Sequence, residues 1–351
     1  MVPEAFEIVR ILLLTSVSFL AAFAWTPLLL RFLQTRKLGK RIRDSSQAPV
    51  FSSLHAKKSG TPTMGGVVVW ATVLVLTLLL AIVGAWFPDL LGGRLNFLSR
   101  SQTLLPLGVL VASALVGLVD DYLNIRGVGP NGGGLRVRHR LMVYTAIAII
   151  GAWWFAFKLD WDLLHVPFVG NFNIGWWYIP FFIMTIVATS FSVNETDGLD
   201  GLAGGTLLTS FGAFAVIAFA QGKYDLAALC AAILGALLAF LWFNIHPARF
   251  MMGDTGAMSL GVTLGVVALL TNSALLLPLI GFPFVLESVS VLLQLTSKHV
   301  WKRKVFLSAP IHHHLEAKGW PEPQIVMRFW VISMVSASLG VAVALLDAFG
   351  A

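Results

Sequence analysis

Four polar clusters interrupt an otherwise apolar chain. They are Asp120-Asp121, Asn194-Glu195-Thr196-Asp197-Gly198-Leu199-Asp200, the segment from Asn244 to Asp254, and His312-His313-His314. Several carboxylates with no thiolate nearby suit a hard divalent cation, above all Mg²⁺, which keeps water and bridges substrate phosphates. Asp120 and Asp121 follow the apolar run Leu115-Val116-Gly117-Leu118-Val119. At the C-terminal end of a helix their charge opposes the macrodipole, so a compensating cation is expected. Asp197 and Asp200 are three residues apart and share a face if that stretch is helical. Asp254, within Met252-Gly253-Asp254-Thr255-Gly256, opens a later apolar run. It reads either as a metal ligand or as an N-cap.

The three histidines suggest zinc at first sight. Adjacent side chains on a helix diverge by ~100°, and no Cys lies near, so contact with a phosphate or sugar is the better expectation. Lys57-Lys58-Ser59-Gly60-Thr61-Pro62-Thr63-Met64-Gly65-Gly66 brings cations, hydroxyls and glycines to the start of another apolar run. That is an anion site at a helix N-terminus, or ordinary capping beside a membrane anchor. No Walker-A pattern occurs, which excludes a P-loop nucleotide hydrolase. Glu287 lies inside an apolar run, where a carboxylate is expensive. It is either functional or hydrogen-bonded to a neighbouring helix, Ser288 or Gln294.

The elements that must position these residues are membrane helices. The chain has 351 residues, 57% hydrophobic and only 12% charged, with a mean hydropathy of +0.83. A soluble fold cannot hide that much apolar surface, and disorder, a basic nucleic-acid-binding domain and a disulfide scaffold are excluded as well. The single Cys230 has no internal partner. Runs of about 20 apolar residues predict ten spans, near 11–30, 65–86, 104–119, 141–157, 176–193, 202–220, 226–243, 256–271, 274–295 and 329–346. Of the 24 Lys and Arg residues, nineteen fall on the odd-numbered loops and five on the other face. The positive-inside rule then makes the odd loops cytoplasmic and both termini periplasmic. The expectation is an all-α integral membrane protein with about ten transmembrane helices, forming one polytopic domain over 1–351. Cytoplasmic loops near 31–64, 120–140, 194–201, 244–255 and 296–328 form its active site.

Several motifs occur in one order: Gly60-Thr61-Pro62-Thr63-Met64-Gly65-Gly66, Asp120-Asp121, Asn194-x-x-Asp197-Gly198-Leu199-Asp200-Gly201-Leu202-Ala203, Phe243-Asn244-x-x-Pro247-Ala248, Met252-Gly253-Asp254, and Pro310-Ile311-His312-His313-His314-Leu315-Glu316. Together they resemble the phospho-N-acetylmuramoyl-pentapeptide transferases. The acidic motifs alone mark only the wider polyprenyl-phosphate N-acetylhexosamine-1-phosphate transferase superfamily. The first motif and the histidines narrow it to this branch.

The resemblance implies a multi-pass enzyme of the bacterial inner membrane, working at the cytoplasmic face in peptidoglycan synthesis. Its substrates would be UDP-N-acetylmuramoyl-pentapeptide and undecaprenyl phosphate, with Mg²⁺ as cofactor and lipid I and UMP as products. It implies a membrane-lipid environment, no nucleic-acid partner, and is compatible with a homodimer. By position, Asp254 would ligate Mg²⁺, with Asp120, Asp121 or Asp197 as additional ligands. Asp120 and Asp121 would lie near the attacking phosphate. Asn194, Asp197, Asp200 and Asn244 would contact nucleotide or order the site. Lys58 and Thr63 would face uridine or diphosphate, and His312, His313 and His314 the sugar-phosphate and peptide.

The chain departs from the family pattern in places. Asn124 and Arg140 stand where Lys is expected, and Tyr144 where Gln is expected. Glu195 replaces Leu, and Met251-Met252 replaces Phe-Met, with Phe250 one residue away. Two other readings fit parts of the sequence. A sibling transferase using UDP-N-acetylglucosamine would keep the aspartates without needing the histidines. A secondary transporter would suit ten spans, but its polar groups belong near the midplane.

Overall fold

In hydrocarbon every backbone N–H and C=O must find its partner within its own segment, so each apolar run becomes a helix. The computed structural model describes residues 3–39, 58, 60–89, 91–129 and 133–350. Lys40, Arg41, Arg43, Lys57 and Ser59, together with the middle of the 127–134 loop, lie outside the described residues.

The long helices are α1 (Pro3–Thr35), α2 (Val67–Trp86), α3 (Leu104–Arg126), α4 (Val137–Lys158), α5 (Tyr178–Thr196), α6 (Leu202–Ala220), α7 (Tyr224–Asn244), α8 (Gly253–Leu270), α9 (Phe282–Val300), α10 (Ile311–Ala317, seven residues) and α11 (Glu322–Gly350). Nine of them are long and apolar enough to cross a membrane among the described residues. The expected span at 274–295 is different. It is a short helix, Leu277–Ile280, joined to α9 at an 84° bend. Pro283 suits the first turn of a helix but has no N–H to continue one from the preceding turn, and Gly281, at φ −97° and ψ 34°, leaves the helical path, so no continuous helix runs through it. Between α4 and α5 the loop is a small antiparallel hairpin, β1 (Leu163–Val166) with β2 (Gly170–Asn173).

Helix α8 is the axis of the bundle. Its apolar window is 94% buried, against 22% for α1 at the periphery. Small residues make this burial feasible, because membrane helices associate by close backbone approach. A Cβ on Gly261 of α8 would lie 2.8 Å from the Cα of Ser190 on α5. A Cβ on Gly117 of α3 would lie 2.4 Å from the carbonyl oxygen of Asp254. That second contact draws the aspartate pair of α3 against the start of α8.

Polarity in α9 is inverted relative to a soluble helix. Glu287, Ser288, Gln294 and Ser297 are buried, while Val289, Leu292, Leu293 and Leu295 face outward. This is the distribution expected where the surroundings are lipid. Ser288 Oγ donates to Ser192 Oγ on α5 at 2.7 Å, and the Gln294 amide holds the 305–306 backbone.

Candidate active site

The four polar clusters converge at one end of the bundle, and two basic side chains organise them. The first is Arg140, in the first turn of α4. Its Nε lies 2.7 Å from Asp120 Oδ2 on α3, and its Nη2 donates to Asp254 Oδ2 on α8 at 2.9 Å. Its Nη1 donates to Asn194 Oδ1 on α5 at 3.0 Å. Asn194 Nδ2 in turn donates to Asp254 Oδ1 at 2.6 Å. One planar guanidinium thus bridges three helices, which its fixed fork of donors permits. Asp120 is fully buried and also accepts the Leu135 N–H.

This geometry revises the helix-end reading of the aspartate pair. Helix α3 continues past Asp121 to Arg126 and closes on Gly127 in the left-handed region, so the pair does not meet the free carbonyls. Arg140 supplies the expected compensation. Asp197 and Asp200 do not share a helical face either. Helix α5 ends at Thr196, and the turn after it sends the two side chains to different partners.

The N-terminus of α8 removes the capping reading of Asp254. Asp121 accepts the Asp254 N–H on Oδ1 and the Thr255 N–H on Oδ2, both at 3.1 Å. Asp197 Oδ2 accepts the Gly253 N–H at 3.2 Å. The free donors of the first turn are therefore satisfied by aspartates from α3 and the α5–α6 turn. Asp254 is not the cap, and its carboxylate points to Arg140 and Asn194 instead. Thr63, nearly fully buried, adds a hydroxyl 3.4 Å from Asp121 Oδ1.

The second basic group is Lys58. Its Nζ lies 2.6 Å from Asp200 Oδ1 and pairs with Glu322 at the start of α11. Asp200 Oδ2 also takes His246 Nδ1 at 3.0 Å and the Ala248 N–H at 3.2 Å. Glu322 Oε1 accepts the Asp200 N–H at 2.7 Å. Asn244 orders the same turn. Its Oδ1 accepts the Gly201 N–H at 3.0 Å, and its Nδ2 donates to the Phe250 carbonyl at 2.8 Å.

The segment 60–66 does not present a free anion site. The N–H groups of Gly65 and Gly66 donate to the carbonyls of Met251 and Met252 at 2.8 Å each, and Met251 N–H returns to Pro62. The segment fastens the loop that carries Asp254. Phe250 is fully buried, with its ring against Phe240 and Phe243 at 5.3 and 6.3 Å. It is a core residue here.

Each histidine takes its own partner, as divergence along α10 requires. His312 Nδ1 meets Glu287 Oε2 at 2.9 Å, and both side chains are fully buried. A Cβ on Gly198 would lie 2.2 Å from His312 Nε2, so this histidine supports the 194–200 turn from beneath. Burial alone would lower its pKa, but the charges of Glu287, Glu316 and Glu195 raise it above 6.5. His313 Nδ1 pairs with Glu316 Oε2 at 2.7 Å, and His314 Nδ1 accepts the Leu307 N–H at 3.1 Å. Glu287 is thereby accounted for by a histidine on another element, not by Ser288 or Gln294.

With this geometry in hand, the similarity to known proteins has a structural setting. Residues 58–68 match phospho-N-acetylmuramoyl-pentapeptide-transferase signature 1, and residues 103–272 match glycosyl transferase family 4. The chain is 41% identical to a phospho-N-acetylmuramoyl-pentapeptide-transferase of Chloroflexus aggregans over 97% of its length and 91% of the relative's. The chain belongs to the phospho-N-acetylmuramoyl-pentapeptide-transferase family. Relatives of the same name from Geobacillus sp. (strain WCH70) and Bacillus anthracis are each 38% identical, over 92% and 94% of this chain and 94% and 97% of theirs. Within the family match, the signature segment carries Lys58 and Thr63, and the longer match carries both aspartate centres from Asp120 to Asp254.

Sequence reasoning missed Glu322 and His246, and treated Arg140 only as a departure. Glu322 follows Pro321 at a helix start, which is a common capping pattern, and nothing local ties it to a lysine 264 residues away. Asp200, His246 and Glu322 offer ligand atoms within 4.8 Å of one another. That group includes an imidazole nitrogen, and Lys58 Nζ already pairs with both of its carboxylates. The Asp120, Asp254 and Asn194 set is all-oxygen and gathers on a single positive charge, so it fits a hard divalent cation.

Proposed function

We propose that the chain transfers phospho-N-acetylmuramoyl-pentapeptide from UDP-N-acetylmuramoyl-pentapeptide to undecaprenyl phosphate, making lipid I and UMP at the cytoplasmic face of the bacterial inner membrane. The observation that carries this reading is the convergence of Asp120, Asn194 and Asp254 on Arg140 at one end of the membrane bundle. A phosphate oxygen of the lipid attacks the β-phosphorus of the donor. The bond from that phosphorus to the bridging oxygen breaks, and UMP leaves with the oxygen. The acceptor is already ionised near neutral pH, so the demand is for positioning and charge neutralisation.

Asp254, with Asp120, would hold Mg²⁺, which would neutralise developing charge on the transferred phosphoryl group. Arg140 keeps these carboxylates in place and adds a second positive charge. Asp121 and Asp197 fix the start of α8, and with it the position of Asp254. Lys58 is the cation best placed to exchange its carboxylates for the donor's diphosphate. Asp200 and Asn244 hold the turn beside it. His313 and His314 stand nearer the surface than His312 and are assigned to the sugar side.

Release of UMP from the pentapeptide donor, dependent on undecaprenyl phosphate and Mg²⁺, tests the reaction. Turnover with UDP-N-acetylglucosamine instead would make the chain the sibling transferase. Orientation has its own test. Cysteines at Ala309 and Gly222 should label from the cytoplasmic and periplasmic sides respectively, and reversed labelling overturns the assignment of the active face.

A further inference from the structure

At the other end of the bundle is a cavity of about 220 Å³ that the transferase chemistry does not use. Its walls come from the end of α4, the base of the hairpin and the start of α5. They include the rings of Phe157, Trp161, Trp176 and Tyr178 and the carboxylates of Asp160 and Asp162. Helix α4 has 22 residues, about 33 Å at 1.5 Å per residue, so the cavity lies a membrane thickness away from Arg140. Its size is below the ~300–1,000 Å³ of drug-sized sites, which suits a small group.

The lining chemistry is selective. Two carboxylates and no basic side chain line the cavity, so an anion is repelled. An apolar occupant would strip water from the carboxylates without replacing it. A cation satisfies both, and aromatic faces add attraction to it. The walls are built before any ligand arrives. Asp162 accepts the Asn173 amide at 2.6 Å, Trp161 Nε1 donates to the Leu163 carbonyl, and Phe157 packs on Trp176 at 6.0 Å. Asp160 makes no hydrogen bond or ion pair among the described residues. The same aromatic surface already seats one ammonium. Lys223 Nζ lies 5.4 Å from the Trp161 ring, tethered to the Leu270 carbonyl at 2.7 Å. Lys223 is not among the cavity's lining residues.

We propose that this cavity is a binding site for a small organic ammonium group. Trp176 and Trp177, 73% and 77% exposed, mark the level of the membrane–water boundary here. An ammonium can reach this level on the headgroup of an aminophospholipid or as a free amine from the aqueous side.

Full-length protein is purified and tested in two arms. Native mass spectrometry compares retained phosphatidylethanolamine with phosphatidylglycerol. Tryptophan fluorescence is titrated with ethanolamine hydrochloride against sodium chloride. The wild type should retain the amine lipid preferentially, and Asp160→Asn and Trp176→Leu should each weaken that preference about five- to tenfold. Both positions are solvent-exposed, so the variants should fold, and unchanged UMP release checks this. Saturable quenching by ethanolamine that also displaces the lipid assigns the site to the free amine. Lipid retention without that quenching assigns it to the headgroup. Equal retention of both lipids together with no ethanolamine response overturns the proposal, as does retention and response unchanged in both variants.

Discussion

Arg140 and Lys58 solve the same electrostatic problem in different ways. Each sits between carboxylates that arrive from distant parts of the chain. Arg140 uses three nitrogens on Asp120, Asp254 and Asn194, all on long helices. Lys58 uses a single Nζ on Asp200 and Glu322, residues of a turn and a helix start. A guanidinium fork fixes directions as well as charge, whereas an ammonium on a flexible stem fixes only charge. The difference suggests a division of labour. Under the proposed function, the Arg140 centre would be a rigid template for the reacting phosphates, and the Lys58 centre an exchangeable contact for the incoming donor.

The largest effect should come from Asp254→Asn. The α8 N-terminus is held by Asp121 and Asp197, so the variant should insert and fold normally. Losing an anionic oxygen at the reacting centre should lower UMP release by at least about two orders of magnitude. Near wild-type turnover in properly inserted protein would break the comparison, because the rigid centre would then not be the reactive one.

Arg140→Lys keeps the charge but cannot span three acceptors. We expect kcat to fall by about ten- to a hundredfold, with Arg140→Gln lower still. If Lys serves as well as Arg, the fork is not what matters. Lys58→Ala should instead raise the donor KM about tenfold and leave kcat within about threefold. A fall in kcat at unchanged KM would merge the two centres into one.

The smallest activity effect should come from the support beneath the 194–200 turn. Glu287→Ala leaves His312 buried without its partner and should cost about 3–5 kcal/mol of stability. Glu287→Gln keeps a hydrogen-bond acceptor and separates charge from packing. Because the folded His312 pKa is raised, its stabilisation is complete below about pH 6.5 and is lost as pH rises through the folded value. Thermal stability of the wild type should decline over that window, and the Gln variant should flatten the decline. An identical pH profile in both proteins would remove the charge pairing.

Much of the architecture was legible because membrane burial writes long apolar runs into the chain. Nine expected spans are single helices near their expected positions. The 84° break before α9 was hidden because Pro278, Gly281 and Pro283 sit within a run that hydropathy alone reads as continuous. The aspartates and histidines were legible as clusters. Their division of duties was not, since a capping carboxylate and a reacting one have the same side chain. Asp254 reads equally as a ligand or a cap, and the capping falls instead to Asp121, because an N-terminus can be capped from another helix.

The sequence by itself determined that this is a membrane bundle, that its polar chemistry is carboxylate-rich, and which family motifs it carries. Those properties depend on composition and local spacing, which a one-dimensional reading contains. Only the tertiary structure decided that Arg140 joins α3, α5 and α8, that Glu322 and His246 complete the Lys58 centre, and that Glu287 serves His312. Each is a contact between residues far apart in the chain. Such a contact follows from which helix faces pack together, and that is settled by small residues such as Gly117 and Gly261 admitting a neighbouring backbone.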